Sequence, residues 1–281
     1  MAPRAGAILW PPPDLAVSRL APLDARVDRP LILVSNDDGI DAAGIVALVT
    51  ALRDVGTVAV VAPFEEQSAV GHAITVRDPM RVHPWPFADD VWARAVTGTP
   101  ADCVKIAVQK LLPRRPDLVV SGINHGPNTA VNVLYSGTVS AATEATVLGV
   151  PAIAVSHDAW RPDSFEAAGD VAARLAARVL ADGLPPGVLL NVNVPDLALD
   201  ALAGVRVTRQ ARARWDEIFE ERRDPFDRPY FWLGGEFVDL DGGDDTDLAA
   251  VAAGFVSVTP LQLDLTAYAH FDRVAALTAS L

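Results

Sequence analysis

The chain has 281 residues, 51% of them hydrophobic, with a formal charge of −13 and a sequence pI near 4.7. That acidity argues against a nucleic-acid polymer as partner, because affinity for phosphate backbones comes from Lys and Arg. One cysteine, Cys103, excludes an intramolecular disulfide framework and a Cys-rich zinc site; nothing approaches the ~18 apolar residues of a membrane span, so the chain reads as cytoplasmic, with no membrane partner.

Residues 1–29 contain Pro11-Pro12-Pro13 and no clear hydrophobic period, and read as an N-terminal extension. Leu31-Ile-Leu-Val-Ser35 then runs into Asn36-Asp37-Asp38-Gly39. A short, continuous apolar run is the pattern of a strand buried on both faces of a parallel sheet. A helix over 42–54 and a strand over 57–62 complete a βαβ unit. Two extended pieces (73–77 and 80–83), a strand (91–96) and a helix from Pro100 to about Leu112 follow, Thr99-Pro100 resembling a helix start. Pro116-Asp-Leu-Val-Val-Ser121 reads as a strand emptying into Gly122-Ile-Asn-His-Gly-Pro-Asn128. An Ala-rich helix up to Gly149, a strand (151–156), a helix (164–181) and a strand (188–194) continue the alternation. Strands and helices at this spacing predict an α/β fold with a Rossmann-like, doubly wound, mostly parallel sheet.

After Pro195 the character changes. Strands are expected at 205–209 and 254–259, and a charged, aromatic-punctuated stretch lies between them. Its arginines alternate with Glu217, Glu220, Glu221 and Asp224, which favours a solvated arm or a subunit contact over a nucleic-acid patch. The reading divides the chain into the extension 1–29, a catalytic portion 30–195 and a C-terminal portion 196–281 with an extended β-hairpin arm and a final helix.

Three of these loops open at the carboxyl ends of strands, where open α/β sheets bind ligands. They carry Asp37 and Asp38, Ser68, and Asn124 with Asn128. Each also has an ordinary structural account: Asn, Asp and Gly favour turns, and Ser and Asp cap helices. Two adjacent carboxylates, however, repel each other unless a cation joins them. Taken together, the loops form an oxygen-rich site suited to Mg²⁺, Mn²⁺ or Ca²⁺ over zinc. Ser136-Gly137-Thr138, at a predicted helix start, offers hydroxyls and free N–H groups to an anion. A metal beside an anion site is the arrangement for phosphate-ester hydrolysis.

Val34-Ser-Asn-Asp-Asp-Gly-Ile40, Gly98-Thr-Pro-Ala-Asp-Cys-Val104, Pro116 to Asn128, Tyr135-Ser-Gly-Thr-Val-Ser-Ala-Ala-Thr-Glu144, Asn191-Val-Asn-Val-Pro195, Val207-Thr-Arg209 and Ser257 to Thr266 resemble the SurE family of survival-protein nucleotidases. The likeness runs in the same order over about residues 31–270. It implies a divalent-metal-dependent phosphatase acting on nucleoside 5′- and 3′-monophosphates, and in some members on short polyphosphate. The implied ligands of one divalent cation per subunit (Mg²⁺ or Mn²⁺, with Ca²⁺ able to stand in for it in crystals) are Asp37, Asp38, Ser68 and Asn124. Asp37 and Asp38 would also be catalytic. Asn36, Asn128, Ser136, Gly137 and Thr138 would bind the phosphate or substrate. A homodimer or homotetramer joined through the C-terminal arm is implied too. Glu65 and Glu66 depart from the more basic or polar stretch expected before the serine. His125 reads as a surface-loop histidine, with lining of the nucleotide pocket as the alternative, and His72 has no assigned role.

Other classes fit the residues less well. A phospho-receiver module needs an acceptor Asp where this chain has Gly122 and Asn124. A dinucleotide-binding module needs a Gly-x-Gly-x-x-Gly after the first strand, which is missing. A phosphatase with an aspartate nucleophile stays open as the nearest rival.

Overall fold

A computed structural model describes residues 23, 29–87 and 91–279; most of the expected extension lies outside them. Its centre is a nine-stranded sheet. The strands are β1 (Leu31–Ser35), β2 (Thr57–Pro63), β3 (Val82–Pro84), β4 (Trp92–Val96), β5 (Leu118–His125), β6 (Ala152–His157), β7 (Val188–Val194), β8 (Val205–Val207) and β11 (Val256–Gln262). They lie in the order β3-β4-β2-β1-β5-β6-β7-β11-β8. The six from β4 to β7 are parallel, β3 runs antiparallel to β4 and β11 antiparallel to β7, and β8 lies parallel to β11. A separate two-stranded antiparallel hairpin joins β9 (Ala213–Arg223) to β10 (Pro229–Asp239). The α/β class, the mostly parallel sheet and the hairpin arm expected from the sequence are all present.

Alternation along the strands splits the core into two layers. Ile32, Val34, Val60, Val120 and Val155 face helices α1 (Ala43–Leu52) and α4 (Glu166–Asp182), through Ile45, Leu48, Leu52, Ala168 and Ala172. Leu33, Val61, Val119 and Ala154 face α2 (Pro100–Ile106) and α3 (Gly137–Val147), through Cys103, Val104, Val139 and Ala142. Covering both faces is what made β1 a continuous apolar run, and burial of Leu31 to Val34 is complete.

The chain moves from β1 outward to β2 and β4, then crosses back through α2 to β5 on the other side of β1. The carboxyl ends of β1 and β5 therefore flank the point where the winding reverses, the usual place for a crevice in such sheets.

Four local expectations change. Residues 73–77 form no strand, because the Thr75 N–H and hydroxyl bind the Asp102 carboxylate (3.0 and 2.6 Å) in place of a ladder partner. The helix from Pro100 stops at Ile106 and continues as a wider π-helical turn over Ala107–Leu111, with the Leu112 N–H on the Ala107 carbonyl. β5 does not end at Ser121: the pairing slips there and resumes with Asn124 opposite Ser156, so Asn124 and His125 belong to the strand end. The strands expected at 205–209 and 254–259 lie at Val205–Val207 and Val256–Gln262, joining the main sheet beyond β7. α5 (Asp247–Ala252) precedes β11, and α6 (Phe271–Thr278) is the last helix described.

Candidate active site

Main-chain ties bring the first two loops together. The Gln67 N–H donates to the Asp37 carbonyl (2.7 Å) and the Ile40 N–H to the Pro63 carbonyl (2.9 Å). Asn36 is fully buried and closes the first loop, its Nδ2 donating to the Gly39 carbonyl at 2.8 Å. Its buried Oδ1 meets no hydrogen-bond donor among the described residues.

Asp37 lies against the start of α3. The Thr138 hydroxyl donates to its Oδ1. A Cβ on Gly137 would stand 2.6 Å from the Asp37 Cβ and 2.8 Å from its Oδ2, so only glycine lets the helix approach this closely. Burial pushes the Asp37 carboxyl up from its ordinary value, against the lowering effect of bonds from the Thr138 hydroxyl and from the Thr138 and Gly137 backbone. Burial and then the Asp37 charge raise Asp38 to about 6, opposed by His125. Contrary to the surface-loop reading, His125 Nδ1 sits 2.9 Å from Asp38 Oδ1.

Asn124 is oriented by its own loop. Its Nδ2 donates to the carbonyls of His125 (3.0 Å) and Gly126 (2.8 Å). The amide oxygen therefore faces the other way, 3.4 Å from the Thr138 hydroxyl that holds Asp37. Ser136 caps α3, its hydroxyl accepting from the Val139 N–H. Asn128 is locked down by β7: its N–H donates to Asn193 Oδ1 and its carbonyl accepts from Asn191 Nδ2, each at 2.8 Å. Its own Nδ2 donates to Ser156 Oγ at 2.8 Å. Asn191 and Asn193 escaped assignment from the sequence. Their signal was two amides two positions apart in a strand otherwise made of apolar residues.

These groups border a cavity of about 600 Å³. Asp37, Asp38, Ser68, Asn124, Asn128 and Ser136 line it, whereas Asn36, Gly137 and Thr138 lie behind the wall. Thus Asn36 and Thr138 act on the site through other groups in this conformation: Asn36 shapes the loop, and Thr138 fixes Asp37. Ser68 reaches the cavity, but its hydroxyl donates to Glu66 Oε1 at 2.6 Å. On the outer side the hairpin contributes Trp215, Glu217 and Leu233, and the β6–α4 loop contributes Trp160.

The donor chemistry fits a hard divalent cation. Two buried carboxylates side by side, both driven toward their protonated forms, leave negative charge that the surroundings do not balance. Amide and hydroxyl oxygens complete a set of the kind Mg²⁺ and Mn²⁺ accept. Among the described residues no cluster of three or more His, Cys, Asp and Glu side chains gathers as a metal site.

A family model described as survival protein SurE matches residues 32–217. A 5′-nucleotidase SurE of Heliobacterium modesticaldum is 48% identical over 245 residues, covering 87% of this chain and 90% of that one. The protein of the same name from Syntrophobacter fumaroxidans is 51% identical over 243 residues, covering 86% and 97%. The crystal structure of the SurE protein from Aquifex aeolicus superposes with a TM-score of 0.77 at 40% identity, covering 88% of this chain and 99% of that one. On the family match and these identities, the chain belongs to the SurE family.

Proposed function

We propose that this protein is a divalent-metal-dependent phosphomonoesterase that hydrolyses nucleoside 5′-monophosphates to nucleoside and phosphate. The observation that carries the reading is the Asp37–Asp38 pair, both carboxyls nearly enclosed, beside the start of α3 and in one cavity with Asn124 and Ser136, in a chain about half identical to 5′-nucleotidases. Asp37, Asp38, Ser68 and Asn124 are the residues that would hold the cation. When bound, it supplies Lewis-acid polarisation of a phosphoryl oxygen and a water of lowered pKa. The dipole at the start of α3 favours negative charge developing on that side of the site. Ser136 orients the phosphate there, Gly137 and Thr138 hold Asp37 from behind the wall, and Asn128 and Asn36 keep the flanking loops in register. Asp37 and Asp38 act in catalysis as well as in ligation, and His125 on Asp38 offers a path for a proton.

The finer reading adds 3′-monophosphates and short polyphosphate as substrates, Mg²⁺ or Mn²⁺ as the ion, and a cytoplasmic location. No helix among the described residues is long and apolar enough to cross a membrane. It also divides the chain at 29 and 195 and joins subunits, as a homodimer or homotetramer, through the 196–281 portion. The test is phosphate release from nucleoside 5′-monophosphates with Mn²⁺ or Mg²⁺ and with EDTA. Release is expected only with the metal; equal release in both refutes the mechanism.

A further inference from the structure

The hairpin wall of the cavity has a composition that phosphate chemistry does not require. Successive side chains of a strand point to opposite faces, so Trp215 and Glu217 share one face of β9. Their cross-strand partners on β10 are Phe237 and Gly235. Trp215 is fixed in place: its Nε1–H donates to Asn132 Oδ1 at 2.9 Å, and its ring meets Phe237 edge-on at 5.3 Å. Gly235 adopts φ +147°, and a Cβ there would lie 2.5 Å from the Asp216 carbonyl. No side chain therefore stands across the ladder from Glu217, and Glu217 lines the cavity together with Trp215 and Leu233. From the body of the fold, Trp160 lays its ring on Gly126, where a Cβ would fall 2.8 Å from the ring carbons, and stays 66% exposed.

We propose that this wall is a base-recognition subsite selective for guanine, with Trp160 and Trp215 as stacking surfaces and Glu217 as the hydrogen-bond acceptor. The inference rests on the nucleotidase reading for the phosphate end of the substrate. A carboxylate only accepts hydrogen bonds. Guanine alone among the common bases presents two adjacent donors, N1–H and N2–H, which match its two oxygens. Adenine offers one amino donor beside an acceptor nitrogen. Uracil has a single N–H flanked by two carbonyls that a carboxylate repels. Stacking on aromatic rings is tolerant of sequence, so the discrimination falls to Glu217.

Equilibrium dialysis of the full-length protein with guanosine, inosine and uridine tests this without any hydrolysis. Guanosine is expected to bind at least tenfold tighter than uridine, with inosine, which lacks the 2-amino group, between them. Glu217→Gln removes most of the preference for guanosine over inosine. Trp160→Ala weakens all three about fivefold or more and leaves their order unchanged; Trp160 is exposed, so the variant keeps its fold. Guanosine and uridine binding within twofold of each other, or a preference that survives in Glu217→Gln, overturns the proposal. Phosphate release from GMP with Mn²⁺, measured on the same preparation, separates the two readings. Base discrimination without hydrolysis upholds the subsite and dismisses the phosphatase; hydrolysis without discrimination does the reverse.

Discussion

Asp38 is the residue where function and stability oppose each other. Its carboxyl is nearly enclosed, with 7% of the side chain exposed, and burial together with Asp37 lifts it to about 6. A carboxyl whose folded pKa exceeds its unfolded value binds protons more tightly in the folded chain, so folding gains as pH falls. For metal-free protein, stability should therefore decline as pH rises from about 4 to about 6 and level off above that. Asp38→Asn keeps the shape and cannot ionise. In EDTA at pH 7.5 it is expected to be more stable than the parent by about 1–3 kcal/mol, with the decline between pH 4 and 6 reduced and activity lost. Thermal unfolding across pH checks this, and a variant less stable than the parent in EDTA at pH 7.5 refutes it. The aspartate pair itself was legible in the sequence, because two adjacent carboxylates after an apolar strand are conspicuous. The contact between His125 and Asp38 was not, since it depends on β5 running on past Ser121.

At the scale of elements, the loop after β5, the approach to the hairpin and α5 meet at one carboxylate. Asp247 is fully buried and accepts from the N–H groups of Ala130 (2.8 Å), Ala211 (2.9 Å) and Leu248 (2.9 Å). Burial still raises it, against those three bonds. Asp247→Ala leaves three donors without their acceptor and is expected to cost about 2–5 kcal/mol. Asp247→Asn retains an acceptor oxygen and should lose less. Urea unfolding measures both, and a loss under about 1 kcal/mol for the alanine variant contradicts this account. Nothing in Asp244-Asp245-Thr246-Asp247 marked the last carboxylate as the buried one. Its partners lie 117 and 36 residues away, and spacing within a sequence does not encode such convergence. The strands β1 and β2 were readable for the opposite reason: burial on both faces wrote them as nearly unbroken apolar runs.

For the whole molecule, the hairpin is the part that a single chain leaves incomplete. An isolated two-stranded ribbon is marginally stable in water, and here Ile218, Phe219, Phe231 and Trp232 are all exposed. Ile218 and Trp232 lie on the ladder face away from Glu217. Apolar surface of this kind marks an interaction site, and a second copy of the chain is the proposed partner. Light scattering should give a dimer or tetramer for the parent and smaller species for Ile218→Asp combined with Trp232→Asp. A monomeric parent chain would remove the arm's proposed role. The sequence betrayed the arm by its alternating charges and aromatics. It gave no hint that one face would close a cavity, because that depends on where the ribbon lies, and Trp215 ties it to Asn132.

The bonds that join the first two loops run from Gln67 N–H to Asp37 carbonyl and from Ile40 N–H to Pro63 carbonyl. Being main chain to main chain, they are indifferent to which side chains occupy Phe64, Glu65, Glu66 and Gln67. Divergence can therefore rewrite the charge at the mouth of the crevice while its floor stays in register. Glu65 and Glu66 stand on that loop, and basic residues in their place would change which anions gather there while the two main-chain bonds stay as they are.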